Sequence, residues 1–268
     1  MARDAGENRP NWAEIAYEAI APVYDDFTAH HNYELWLGEL LPKLEKHGIP
    51  GQRLLDVACG TGKSFIPMLE RGWEVTACDI SPRMVAIARE KVGDKAKLSV
   101  ADMRNLPVFG RFDVVWCLDD AVNYLLSTEE LEQSLVGMRR NLGPGALLMF
   151  DVNTLESYRT FFAEEVTMER DGRRMIWKGL TDPEAPPGTI AEASFEVEPL
   201  DESAGPAIPP ELHRERHFSE AEVVAALERA GLECLDVYGH HHDAIPHQPL
   251  DEVAHTKAVY IARAAGDS

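Results

Sequence analysis

The chain has 268 residues, 45% of them hydrophobic, enough for one domain with an elaboration and a full core. Its formal net charge is −20, from 46 acids against 26 bases, which repels phosphate backbones and makes nucleic acid a poor substrate. The polar N-terminus lacks an apolar signal core, no run approaches a membrane span, and the four cysteines contain no C-x-x-C pair. A cytoplasmic protein with buried reduced thiols and no metal site is the expectation.

Residues 1–11 carry no structural signal. Residues 12–29 alternate apolar and acidic side chains at helical spacing, interrupted by Pro22. A second helix is expected over 33–47, with Leu35, Trp36, Leu40, Leu41 and Leu44 on one face. Both helices precede the first strand, so residues 1–48 read as a helical lid over whatever the sheet binds.

Residues 53–64, RLLDVACGTGKS, organise the chain. Leu54, Leu55, Val57 and Ala58 form an apolar run broken by Asp56, the mark of a buried parallel strand. Gly60 and Gly62 follow, and glycine lets a ligand lie against the main chain. Phe65, Ile66, Met68 and Leu69 then take helical spacing. The unit is strand, glycine turn, helix, the opening of a nucleotide-binding βαβ fold. Gly62-Lys63-Ser64 spells the end of a P-loop, but Val57 stands where that motif needs glycine. An NAD turn wants glycine or alanine where Phe65 stands. Asp56 also repels a pyrophosphate, and suits a cationic ligand with an ammonium group and no phosphate. S-adenosylmethionine (SAM) is such a ligand.

Residues 74–80, EVTACDI, read as a second strand ending in Asp79, nineteen residues after Gly60, where an acid hydrogen-bonds ribose hydroxyls. Ser81 and Pro82 open a helix through Met84, Val85, Ile87 and Ala88. A third strand at 97–101 leads to Asp102 and Met103, suited to an adenine amino group and ring face. The fourth strand, 112–118, leads to Asp119, Asp120, Asn123 and Tyr124 at the edge where open α/β sheets place ligands. A helix through Leu131, Leu135 and Met138 follows. Gly143-Pro144-Gly145 is expected to be a turn before a fifth strand at 146–152.

Beyond Asn153 the composition changes. Residues 164–180 and 189–200 read as exposed antiparallel strands, with a hairpin signal at Asp171-Gly172, and 204–210 as a loop. Residues 157–216 are expected to form an antiparallel insert that lines an acceptor pocket. The same surface as a homodimer contact is the alternative. Residues 219–230 form a helix with a capping box from Ser219 and Glu222, ended by Gly231. LECLDVYG and KAVYIAR supply the last two strands. The division is lid 1–48, cofactor-binding core 49–156, insert 157–216, and the rest of the core 217–268.

LLDVACGTG, CDIS, ADMRNLP, FDVVWCLDD and LGPGALLMFDV, in this order, resemble the class I SAM-dependent methyltransferases over roughly residues 12–155. NYELWLGELLPKLEKHG is similar to glycine N-methyltransferase, and DDAVNYL to the antibiotic-sugar N-methyltransferases. The resemblance implies an α/β, Rossmann-like, seven-stranded and mostly parallel sheet, with an N-terminal lid and an antiparallel insert after strand five. It implies methyl transfer from SAM, leaving S-adenosylhomocysteine, to nitrogen or oxygen of a small molecule in bacterial secondary metabolism. Asp56, Gly60 and Gly62 would hold the methionine end, Asp79 the ribose, and Asp102 with Met103 the adenine. Ile80, Met84 and Leu118 complete the expected contacts, with Tyr24 and Trp36 from the lid. Tyr124 stands where those N-methyltransferases carry a histidine and is one candidate catalytic group; His217 is a second. His240-His241-His242, near His247 and His255, read as a solvated loop. An NAD-dependent oxidoreductase, disfavoured by Phe65 and Asp56, and a non-catalytic SAM-binding subunit are the rivals.

Overall fold

The computed structural model describes residues 11–202, 204–241 and 245–266. His242 and residues 1–10 lie outside the described residues. The chain opens with α1 (Trp12–Ile20), α2 (Tyr24–Phe27) and α3 (Tyr33–Glu45). β1 (Arg53–Val57), α4 (Ile66–Glu70), β2 (Glu74–Asp79), α5 (Pro82–Val92), β3 (Ala96–Val100) and β4 (Phe112–Cys117) alternate as the motifs require. α6 (Thr128–Arg139), β5 (Leu142–Asn153) and α7 (Leu155–Arg159) follow. Then come β6 (Glu165–Arg170), β7 (Arg173–Gly179), β8 (Ile190–Pro199) and β9 (Ile208–Arg216). α8 (Glu220–Arg229), β10 (Leu232–His240) and β11 (Lys257–Ala264) close the described chain.

The main sheet has the order β10-β11-β5-β4-β1-β2-β3. β11 runs antiparallel to both neighbours, and the other pairings are parallel. The order reverses at β1, which lies between β2 and β4. Open sheets bind ligands beyond the strand ends at such a switch point. β1 is buried on both faces because it feeds two core layers. Leu55 and Val57 pack with Leu131, Leu135, Val223 and Leu227 of α6 and α8. Leu54 packs with Leu37, Leu40 and Leu44 of α3 and with Met68 and Ala88.

α3 therefore belongs to the sheet core, not to the lid expected over 1–48. Position in the chain does not fix the layer, and an apolar stripe serves a core helix as well as a cap. α1 and α2 form the roof. Ile20, Ala21 and Val23 pack against Met84 of α5 and against Phe195, Trp177 and Val197 of the insert.

The insert is a separate sheet of order β6-β7-β8-β9, antiparallel throughout. Its strands alternate: Ala191, Ala193, Phe195 and Val197 of β8 are buried, while Glu192, Ser194 and Glu196 are half-exposed. β9 begins inside the stretch expected to be a loop. Pro209 and Pro210 cannot donate to a ladder, but β9 is an edge strand and tolerates them. A bulge sits opposite, between Phe195 and Val197. Gly143–Gly145 also departs from expectation. The register between β4 and β5 jumps from Phe112↔Leu142 to Val114↔Leu147, so the glycines lie inside a bulged strand, with Gly145 at φ 67°. Among the described residues, no helix is long and apolar enough to cross a membrane.

Candidate active site

The C-terminal ends of β1, β2 and β4 open into a cleft with about 840 Å³ of space. Ala58, Gly60, Asp79, Ile80, Asp102, Met103, Leu118, Asp119 and Tyr124 line it from the sheet side. Tyr17, Tyr24 and Tyr33 line it from the N-terminal helices. Three non-glycine residues here, Ala58, Asp119 and Asp120, hold left-handed φ angles of 60°, 67° and 54°. Such strain gathers where surrounding structure fixes a functional loop.

The glycine turn folds back onto the tip of β2. Gly60 N donates to Asp79 Oδ2 at 2.8 Å, and Ser81 N donates to Asp79 Oδ1 at 2.9 Å. Burial still pushes Asp79 up to about 6. A Cβ at Gly60 would stand 3.6 Å from the Tyr24 ring, inside the gap between turn and roof. Gly62 differs. Its Cβ would meet the Phe65 ring at 2.9 Å, and φ is 92°, so glycine there answers packing and backbone rather than a ligand.

Behind the far wall lies a charged cluster. Lys257 Nζ donates to Asp119 Oδ1 and Asp151 Oδ2, both at 3.0 Å, and to Asp120. Asp151 accepts from the backbone N–H of Asp119 and Asp120, at 2.6 and 2.9 Å, which fixes the turn after β4. Tyr33 donates its hydroxyl to Asp119 Oδ2 at 2.8 Å, and His31 Nδ1 is 3.3 Å away. Burial opposes ionisation of Asp119, yet Lys257 and His31 overcome it and hold the carboxyl well below the usual range. Burial raises Asp120 and Asp151. Burial also works against charge on Lys257, but the three acids keep it well above its ordinary value.

Tyr124 lines the cleft, with its oxygen 2.7 Å from His213 Nδ1 and its ring 5.1 Å from Tyr17. Burial pushes the Tyr17, Tyr24, Tyr33 and Tyr124 hydroxyls well above their usual range. Burial pushes His213 down to about 4, so it is neutral at pH 7.

Several expected residues do not line the cleft. Asp56 is 1% exposed and accepts from Ser64 Oγ at 2.5 Å; burial raises it to about 7. It supports Ser64, which does face the cleft. Trp36 lies beneath the charged cluster, with Lys257 Nζ 5.9 Å from its ring centroid. Met84 is core under the roof. His217 is fully buried; its Nδ1 accepts from Gly188 N at 3.0 Å and its Nε2 is 3.6 Å from Glu252, so it ties the insert to the C-terminal part. Asp102 reaches the cleft, but Arg104 grips its carboxylate through Nε at 3.1 and 3.0 Å and Nη2 at 2.6 Å. In the histidine group, the His241 and His255 rings approach to 4.8 Å, and Asp251 N donates to His255 Nδ1 at 2.9 Å. Sequence reasoning missed Lys257 and His213 as site residues. Lys257 carried a faint signal, a charge at the mouth of an otherwise apolar strand.

The residues present fit SAM. An acid stands at the β2 tip, a gap closes over Gly60 that any side chain would fill, and Ile80, Met103 and Leu118 give an apolar wall. Lys63, the cation of the P-loop-like triplet, instead donates to the Thr28 carbonyl and hydroxyl, at 2.5 and 2.9 Å.

Known proteins agree with this geometry. Residues 54–145 match the model of a methyltransferase domain. The chain is 32% identical over 160 residues to the putative methyltransferase YqeM of Bacillus subtilis, covering 59% of this chain and 63% of that protein. It thus spans less than two thirds of that relative's length. It is 29% identical over 215 residues to a dTDP-3-amino-3,4,6-trideoxy-alpha-D-glucopyranose N,N-dimethyltransferase of Streptomyces venezuelae, covering 79% of this chain and 89% of that one. A SAM-dependent methyltransferase from Clostridium acetobutylicum superposes with TM-score 0.77 at 21% identity, over 93% of this chain and 99% of that one. Residues 54–145 are thus similar to a methyltransferase domain, and the chain has the class I SAM-dependent methyltransferase fold.

Proposed function

We propose that the chain methylates a nitrogen of a small amine, with SAM as the donor. Asp79 would hold the ribose hydroxyls, Asp102 and Met103 the adenine, and the Ala58–Gly60 backbone with Leu118 the methionine end. When bound, SAM supplies a methyl carbon on a sulfonium, which a nitrogen lone pair displaces in line to leave S-adenosylhomocysteine. The chain's own task is to place the acceptor and to exclude water, a proximity effect. Tyr17, Tyr24 and Tyr33 close the cleft from above and present ring faces that attract cations.

The observation that carries nitrogen over oxygen is the acceptor end itself. It is walled by tyrosines whose hydroxyls burial keeps protonated, beside a cluster of three carboxylates and one lysine. A hydroxyl acceptor must lose its proton early and needs a ready base, which a tyrosine with a raised pKa is not. A neutral amine attacks with its own lone pair and sheds its proton afterwards. The excess of acid also favours a basic acceptor. The Streptomyces relative is named for an amino-sugar acceptor, and that likeness points to amino sugars of bacterial secondary metabolism as the first class to try. The test is a screen with methyl-labelled SAM over amino sugars, amino acids and phenols. Label in an amine supports the reading, and transfer to hydroxyls alone overturns the choice of nitrogen.

A further inference from the structure

His213 lies on β9 of the insert, outside the matched methyltransferase segment. It is 2% exposed. The rings of Tyr17, Tyr124, Trp177 and Phe195 surround it, with centroids 5.3–6.4 Å away. Its Nε2 has no hydrogen-bond partner among the described residues. A buried imidazole with one orphaned nitrogen costs stability that a phenylalanine in the same cage would not. The group that gives the histidine a purpose is Tyr124, 2.7 Å from Nδ1.

We propose that His213 is a positioning residue: it accepts the Tyr124 hydroxyl hydrogen, turns the Tyr124 oxygen lone pairs toward the acceptor, and so makes the site read an N–H group. This rests on the methyltransferase reading above. Burial keeps His213 neutral, so one of its two ring nitrogens is an acceptor. A neutral imidazole keeps a lone pair on one ring nitrogen, and in the tautomer proposed that nitrogen is Nδ1, facing the Tyr124 hydroxyl at 2.7 Å. The ring hydrogen then resides on Nε2 among aromatic faces, where a weak N–H···π contact is available.

With its one hydrogen committed to His213, Tyr124 has only lone pairs left, one taken by the Tyr17 hydroxyl beside it and one for the cleft. A neutral primary or secondary amine can point an N–H at that oxygen and keep its own lone pair for the methyl group. A tertiary amine has no N–H to offer. Methylation therefore stops at the tertiary amine. The proton left on the methylated nitrogen goes to solvent, and His213 does not take it.

Nitrogen-15 NMR of the histidine-labelled chain at pH 7 tests the hydrogen bond without any acceptor. The expected result is a neutral His213 with its hydrogen on Nε2, and an Nδ1 resonance that moves in Tyr124→Phe. A hydrogen on Nδ1, or no response to Tyr124→Phe, overturns the proposal. Kinetics test its consequence with an amine that the wild-type chain methylates. His213→Phe keeps the packing and removes the acceptor. Its kcat/KM for the amine should fall about tenfold, the scale of one neutral hydrogen bond, while KM for SAM stays within about twofold. His213→Gln, whose amide oxygen can accept, should recover part of the loss. Unchanged kcat/KM in His213→Phe, or a quaternary ammonium product from the wild type, contradicts the proposal. If His213→Phe does not fold, the NMR of the wild type and Tyr124→Phe decides alone. A wild-type chain that methylates no amine sinks the functional reading instead, and the NMR result still stands or falls by itself.

Discussion

Asp79 carries more of the cofactor argument than any other side chain. It closes the glycine turn through Gly60 N and faces the cleft. Burial, opposed by the Ser81 and Gly60 amides, raises it to about 6. A carboxylate accepts ribose hydroxyls best when ionised, so binding favours the charged form. Affinity for S-adenosylhomocysteine should therefore hold above pH 6 and weaken as pH falls through it, by about tenfold per unit at the limit. The effect on folding runs the other way. A raised acid pKa makes the folded state bind more protons than the unfolded state between about pH 4 and 6, so this group's contribution to stability declines as pH rises through that window. Asp79→Ala should cost about 1–3 kcal/mol of S-adenosylhomocysteine binding and remove the pH dependence. Calorimetry at pH 5 and 7.5 checks both, and an Asp79→Ala chain with wild-type affinity would remove the ribose assignment. The neighbouring acid, Asp56, shows where reading by type went astray. Its negative charge suggested an ammonium contact, but the side chain points behind the turn to Ser64.

Between elements, β11 and the turn after β4 are joined by Lys257. One cation is shared by Asp119, Asp120 and Asp151, and the Asp151 carboxylate fixes the two left-handed residues. Removing one partner of a buried ionic cluster leaves the rest uncompensated. Lys257→Met should cost about 3–5 kcal/mol of stability, read from the shift in denaturation midpoint. A midpoint within error of the wild type would show that the acids are neutralised some other way. Asp119 lies 138 residues from Lys257 in the chain, which is why no motif announced their meeting. The strand–turn–helix unit at 53–70 was legible because its signals are local: apolar run, glycines, then helical spacing. The strand at 208–216 was not, because its prolines read as a breaker until β9 is known to be an edge. The same limit hid the layer of α3, whose apolar face suits a lid or a core until packing decides.

For the whole molecule, the seven-stranded, mostly parallel sheet appears as the resemblance implied, and the cleft lies at the strand ends after β1, β2 and β4. What the motifs did not convey is how the two later additions cooperate. The roof helices are pinned to the nucleotide-binding half by polar contacts. Glu18 accepts from Ser81 Oγ at 2.6 Å and Arg83 N at 3.0 Å, and Asp25 accepts from Thr61 Oγ1 at 2.6 Å. The insert meets them from the other side through Trp177 and Phe195, and brings His213 to Tyr124. On the proposed reading, the cofactor would be held by the matched 54–145 segment and the roof, and the acceptor by roof, β4 edge and insert.

The central claim is that the glycine turn, Asp79 and the roof tyrosines form a SAM site. The most direct test is calorimetric titration of the purified chain with S-adenosylhomocysteine, SAM and NADH in parallel. The account predicts dissociation constants on the order of micromolar for the first two and no heat from NADH. Binding of NADH, or of none of the three, would contradict it.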